Sequence, residues 1–145
     1  MRRLALLLPL VTGCAKAEVP KDEAATAAPA ATTEADVAGT WSGEFYSLSD
    51  SLLGQFTQVC GGGTCRAAVV GQPDTVLSTY VLSADSAVGS VGARSNPSFP
   101  GIKVTEQWVL RITGPGKVMG TGRFMLAENP DSGLLRYRFT AAKAP

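Results

Sequence analysis

The stretch IKVTEQWVLRIT, Ile102 to Thr113, decides the fold. Ile102, Val104, Trp108, Leu110 and Ile112 fall on one side of an extended chain, and Lys103, Thr105, Gln107, Arg111 and Thr113 fall on the other. A repeat of two is the signature of a β-strand with one dry and one wet face, and it excludes a helix, whose apolar positions recur every three or four residues. The alternation also places one carboxylate, Glu106, on the apolar side between Val104 and Trp108.

Outward from this strand the pattern repeats. Leu135, Tyr137 and Phe139 alternate with Arg136, Arg138 and Thr140 near the C-terminus. Turn formers divide the runs at Gln72-Pro73-Asp74, Ala84-Asp85, Gly114-Pro115-Gly116 and Asn129-Pro130-Asp131. Eight strands are predicted, over residues 39–48, 52–60, 65–71, 75–83, 86–94, 102–113, 117–127 and 133–142. One wet face per strand argues for antiparallel pairing, and short connections join neighbours, so the expected class is an all-β up-and-down meander. Closing it into a barrel removes exposed edges and is expected ahead of a two-layer sandwich.

Composition narrows the function. The 145-residue chain suits one folded domain. A net charge of +1, from 13 basic and 12 acidic residues, provides no field to gather nucleic acid. Histidine is absent, which removes the usual general base, the Ser/His and Cys/His nucleophile pairs and the commonest metal ligand. No cofactor or metal is expected. A hydrolase built on Ser or Asp without histidine ranks behind every binding function.

The N-terminus supplies an address. Arg2 and Arg3 precede the apolar run Leu4 to Val11, the order of an export signal and too short to span a bilayer. The following Val11-Thr12-Gly13-Cys14 resembles a bacterial lipobox. The resemblance implies that residues 1–13 are a signal peptide and that Cys14 becomes the acylated first residue of the mature chain. More than one acyl chain gives stable membrane anchoring. With Ala15 rather than Asp after the cysteine, the likeness to lipoproteins of two-membrane bacteria implies the outer membrane, facing the periplasm. Residues 14–36 hold no aromatic residue and carry Pro20 and Pro29, so a disordered tether is expected, with the all-β domain over 37–145.

Gly39-Thr40-Trp41 opens the first strand and resembles the Gly-x-Trp of lipocalin and avidin-like barrels. The resemblance implies a tryptophan plugging one barrel end, packed under an arginine of the last strand, here Arg136 or Arg138; a plain core role for Trp41 is the other reading.

Four further features carry candidate chemistry. Cys60 and Cys65 flank Gly61-Gly62-Gly63-Thr64, and in an exported chain two cysteines across a hairpin loop are read as a disulfide. Glu106, pointing inward, needs a partner, and Arg123 on the next strand is the candidate; the alternative is contact with a ligand. Phe99, between Pro97 and Pro100 in the longest loop of the domain, is either a contact for a protein partner or a lid over one end of the sheet. The predicted interior comprises Trp41, Phe45, Phe56, Trp108, Leu110, Phe124, Tyr137 and Phe139, of which Trp41, Phe45, Trp108, Phe124 and Tyr137, with Glu106, line either a ligand site or a filled core.

Two functions follow. The first is a membrane-anchored, non-enzymatic lipoprotein whose barrel binds a hydrophobic molecule or an envelope component. The second is a solid-cored module that binds an envelope protein through loops such as 95–101. A cavity beside Trp108 and Glu106 favours the first, and a filled core with an exposed apolar patch at Phe99 favours the second.

Overall fold

A computed structural model describes residues 31–145; the signal segment, Cys14 and the tether as far as residue 30 lie outside the described residues. The strands are β1 Gly39–Ser47, β2 Leu52–Gly61, β3 Thr64–Val69, β4 Thr75–Leu82, β5 Ala87–Ser95, β6 Lys103–Gly114, β7 Lys117–Leu126 and β8 Leu135–Lys143. Each pairs antiparallel with its sequence neighbour, and β8 returns to β1, closing the barrel. The expected strand boundaries hold to within two residues. Ile102 is the exception to the expected inward face of β6: it sits in the turn before the strand and is exposed.

Up-and-down connectivity sorts the loops into two ends. Loops 47–52, 69–75, 95–103 and 126–135 surround one end, the mouth; the β2–β3, β4–β5 and β6–β7 hairpins and both ends of the domain meet at the other. That second end is sealed. Trp41 is buried there, and its Nε1 donates to the Val37 carbonyl at 2.8 Å. The cation over its ring is Lys143, with Nζ 5.3 Å from the ring centroid. Neither expected arginine takes that place: Arg138 pairs with Asp50 and lies over Tyr46 on the outer wall, while Arg136 is opposite Arg123 in the outward phase of β7 and β8.

The sealed end also recruits residues that composition assigns to the tether. Glu34–Val37 form a helical turn, α1, started by Thr33, whose hydroxyl and N–H both donate to Asp36. Glu34 accepts from the Tyr80 hydroxyl at 2.6 Å and from the Gly62 N–H at 2.7 Å, and Lys143 Nζ donates to the Ala35 carbonyl at 3.0 Å. These are long-range partners. No local signal in an Ala/Thr-rich segment announces them.

Cys60 and Cys65 form the expected disulfide, across a directly paired register of β2 and β3 with Cα atoms 4.1 Å apart. Both cysteines face inward and are buried in the core, so the bond packs against the floor of the barrel.

The core is aromatic, and glycines make room for it. Gly43 faces Phe56, Gly89 faces Trp108, Gly120 faces Phe139 and Gly122 faces Tyr137, each pair directly opposite across neighbouring strands. The rings lie over the glycines so closely that a Cβ on Gly43 would meet Phe56 at 2.7 Å, and the other three would come closer still. Carbon atoms pack at about 3.5–4.0 Å, so only the missing side chain permits this geometry.

Replacing Gly89 with Ala therefore forces the Trp108 ring off its wall and is expected to cost about 1–3 kcal/mol in urea unfolding, with altered tryptophan fluorescence. Gly54→Ala is the control, because nothing lies within 4 Å of its Cβ position, and it is expected to stay within about 0.5 kcal/mol of the parent.

Candidate functional site

Below the mouth, the lumen is not filled. A cavity of about 130 Å³ is walled by Phe45, Phe56, Trp108, Phe124, Tyr137 and Phe139, with Val69, Val91 and Leu110 between the rings. Phe45 and Phe56 stack at 4.5 Å between centroids, Tyr137 meets the edge of Phe45 at 5.3 Å, and Phe124 continues the series 5.6 Å from Tyr137. The five cavity residues expected from alternation, Phe45, Glu106, Trp108, Phe124 and Tyr137, are thus brought together. Trp41 is not among them, because it seals the opposite end.

Glu106 lies in this wall and is 8% exposed. Its partner is Arg94, whose Nη2 donates to Oε2 at 3.0 Å, and the Tyr137 hydroxyl donates to Oε1. The expected partner, Arg123, is excluded by register. Glu106 stands opposite Phe124 on β7, whereas Arg123 stands opposite Gln107 on the outer face and donates to its Oε1 at 2.8 Å.

Strict alternation hides Arg94, because with Ala87, Gly89 and Val91 facing inward it belongs outside. A β-bulge corrects the phase. Pairing of β5 with β6 slips between Val91, opposite Glu106, and Arg94, opposite the inward Val104. Gly92 and Ala93 are the residues spanning that slip. An extra residue in one strand re-aims the side chains beyond it, so Arg94 and then Asn96 turn inward to line the cavity. The signal available in the sequence is Gly92 inside a strand pattern.

Burial first, and then the negative charge of Glu106, raise the phenol of Tyr137 well above its usual range, so it stays protonated and serves as a donor. At the sealed end Tyr80 is pushed up to about 12 by burial and by its hydrogen bond to Glu34.

Loop 95–103 covers part of the mouth. Asn96 is buried, its Oδ1 accepts from the Ser98 N–H at 2.9 Å, and its carbonyl accepts from the Phe99 N–H at 2.9 Å. This turn sets Phe99 against Phe124, 5.4 Å between centroids, and leaves its side chain half-buried. Deeper in the cavity, Gln58 donates to the Cys60 sulfur at 3.2 Å and Ser78 to the Cys65 carbonyl at 3.4 Å. Among the described residues no three of His, Cys, Asp and Glu gather to hold a metal ion.

Comparison with protein-family models, with curated proteins and with solved structures finds no match to the chain. The site is therefore read from its own chemistry: an apolar, aromatic cup with one internally compensated ion pair near its opening.

Two outcomes follow from this geometry. Glu106→Ala leaves the guanidinium and the phenol without their acceptor and is expected to destabilise the fold by about 2–3 kcal/mol, at or below the low end for breaking a buried pair, because the Arg94 side chain is 21% exposed. Glu106→Gln keeps an acceptor for Tyr137 and is expected to cost about half as much in the same denaturation assay. The two phenols act on pH dependence. Their folded-state pKa values lie above the unfolded value of about 10, so the native state holds the protons more tightly. Their contribution is intact below about pH 10 and is lost as pH rises towards 12 and beyond, which a series of urea midpoints between pH 8 and 12 measures as a steady fall.

Proposed function

We propose that this chain is an envelope lipoprotein, anchored through acylated Cys14, whose barrel takes up a small apolar molecule through its mouth without transforming it. The observation that carries the reading is the aromatic cavity of about 130 Å³ beside Trp108 and Glu106. An apolar cavity of about 150 Å³ stays dry and accepts benzene, so a single ring or short branched chain suits this volume, and a long acyl chain does not. The surrounding chemistry supports binding over reaction. The chain has no histidine, and the carboxylate in the wall is committed to Arg94 and Tyr137. The lipobox-like Val11-Thr12-Gly13-Cys14 supports the anchored location.

One observation favours an interaction module instead. Leu48, Leu52, Val70 and Leu134 are exposed on the loops around the mouth, an apolar rim that a protein partner could cover. Phe99, the residue that reading relied on, is folded onto Phe124.

Native mass spectrometry of the chain purified from its own envelope addresses both parts of the proposal. The expected result is a protein beginning at Cys14, carrying acyl chains, with a reproducible small-molecule adduct released on unfolding. A chain that retains Met1 and no lipid overturns the anchor. A ligand-free monomer that captures an envelope protein through the mouth overturns the carrier reading in favour of the interaction module.

A further inference from the structure

The opening of the barrel carries apolar surface that the cavity beneath it does not use. Each of the four mouth loops presents at least one exposed aliphatic side chain: Leu48 and Leu52 in the first, Val70 in the second, Ile102 in the third and Leu134 in the fourth. Val70 is 71% exposed and Leu48 63%. The sealed end is built differently. Its hairpin tips are Gly61-Gly62-Gly63, Ser83-Ala84-Asp85 and Gly114-Pro115-Gly116, with Leu82 as the large apolar neighbour. Val81 and Val88 are exposed near that end too, but they are paired on the outer wall of β4 and β5 and stand out sideways from it. The end of the barrel that is ringed with apolar side chains is therefore its mouth.

We propose that the four loops seat the mouth in the lipid surface that holds Cys14, so that the cavity opens onto acyl chains and an apolar molecule enters it from the bilayer. This rests on the anchored-carrier reading above and names the surface on which the carrier works. Chain length permits the arrangement. The described chain begins at the sealed end, where the Thr32 N–H donates to the Ala84 carbonyl at 3.1 Å. Residues 15–30 separate that point from Cys14, and fully extended they reach about 55 Å. The longest strand, β6 with 12 residues, is about 40 Å long, and a tilted strand rises less than its length. An anchor leaving the sealed end thus reaches past the wall to the plane of the mouth. Residue type favours lipid over a protein. The energetic centres of protein interfaces are built on Trp, Tyr and Arg, and the four loops contain none of the three; their single aromatic, Phe99, is half-buried against Phe124. Leucine, valine and isoleucine gain by entering hydrocarbon without needing a shaped pocket. Charge sets the lipid class. Asp50, Asp74, Glu128 and Asp131 lie in these loops beside Lys103, with Arg138 paired to Asp50, so no basic cluster draws the mouth to anionic headgroups and the contact is an apolar one.

The test uses the acylated chain reconstituted in phosphatidylcholine vesicles, some of whose lipids carry a nitroxide near the top of the acyl chain. An environment-sensitive nitrobenzoxadiazole dye is placed on Val70→Cys at the mouth or on Ser83→Cys at the sealed end, both exposed positions. The dye at 70 is expected to lose about half its fluorescence to the nitroxide, and the dye at 83 to be unaffected. Adding Leu48→Ser and Leu134→Ser to the Val70→Cys chain is expected to abolish most of that loss while the protein still floats with the vesicles. Equal loss at both positions, greater loss at 83, loss at neither, or loss undiminished by the two serines overturns the inference and leaves the anchored carrier standing. A dye at 70 that is shielded in native envelope membranes but not in pure lipid assigns the rim to a protein and likewise overturns it. A chain that does not float with the vesicles overturns the anchor, and this inference with it.

Discussion

An eight-stranded barrel has an interior barely wider than the side chains that fill it, and everything in this protein is arranged around that limit. Aromatic rings supply much apolar area per residue, yet several of them crowd a lumen this narrow. The chain resolves the conflict by setting glycines opposite Phe56, Trp108, Tyr137 and Phe139, so that each ring comes up against the backbone of the neighbouring strand. Wall thickness is exchanged for interior width. A space remains under the mouth, walled by these rings, whereas Trp41, Tyr80 and the inward-facing disulfide are buried at the sealed end.

Within that space, the placement of charge depends on one irregularity. Taking a carboxylate out of water is costly unless it gains a partner and hydrogen bonds. Glu106 is fixed inside by the phase of β6, and the regular phase of β5 offers it only Val91. The slip between Val91 and Arg94 brings a guanidinium across, and Tyr137, packed against Gly122, completes the set. The same slip directs Asn96 inward to start the turn that folds Phe99 over Phe124. One extra residue thus sets both the polarity of the cavity and the shape of its cover.

The strands, their order and the inward residues were legible in the sequence because period-two patterning and Gly/Pro/Asp turns are local signals, and β6 and β8 carry them without interruption. The up-and-down order followed from short links, the barrel ahead of the sandwich from the removal of exposed edges, and the disulfide from two cysteines flanking one hairpin. What escaped is non-local or depends on phase. The match of Glu106 with Arg94 required counting across a bulge, and the expected Arg123 failed because register sets it opposite Gln107. The lysine over Trp41 and the capture of Glu34 by Tyr80 and Gly62 depend on which segments closure brings together, which composition does not encode.

The two ends of the domain lie side by side at the sealed base, where the Ala144 N–H donates to the Thr40 carbonyl and Lys143 reaches Ala35. Anything joined covalently to this module, at either terminus, hangs from the side opposite its opening. A reporter protein, a resin or a second domain attached there leaves free passage to the interior, and joining the termini by a short bridge while cutting a mouth loop would yield a permuted chain with the same plumbing.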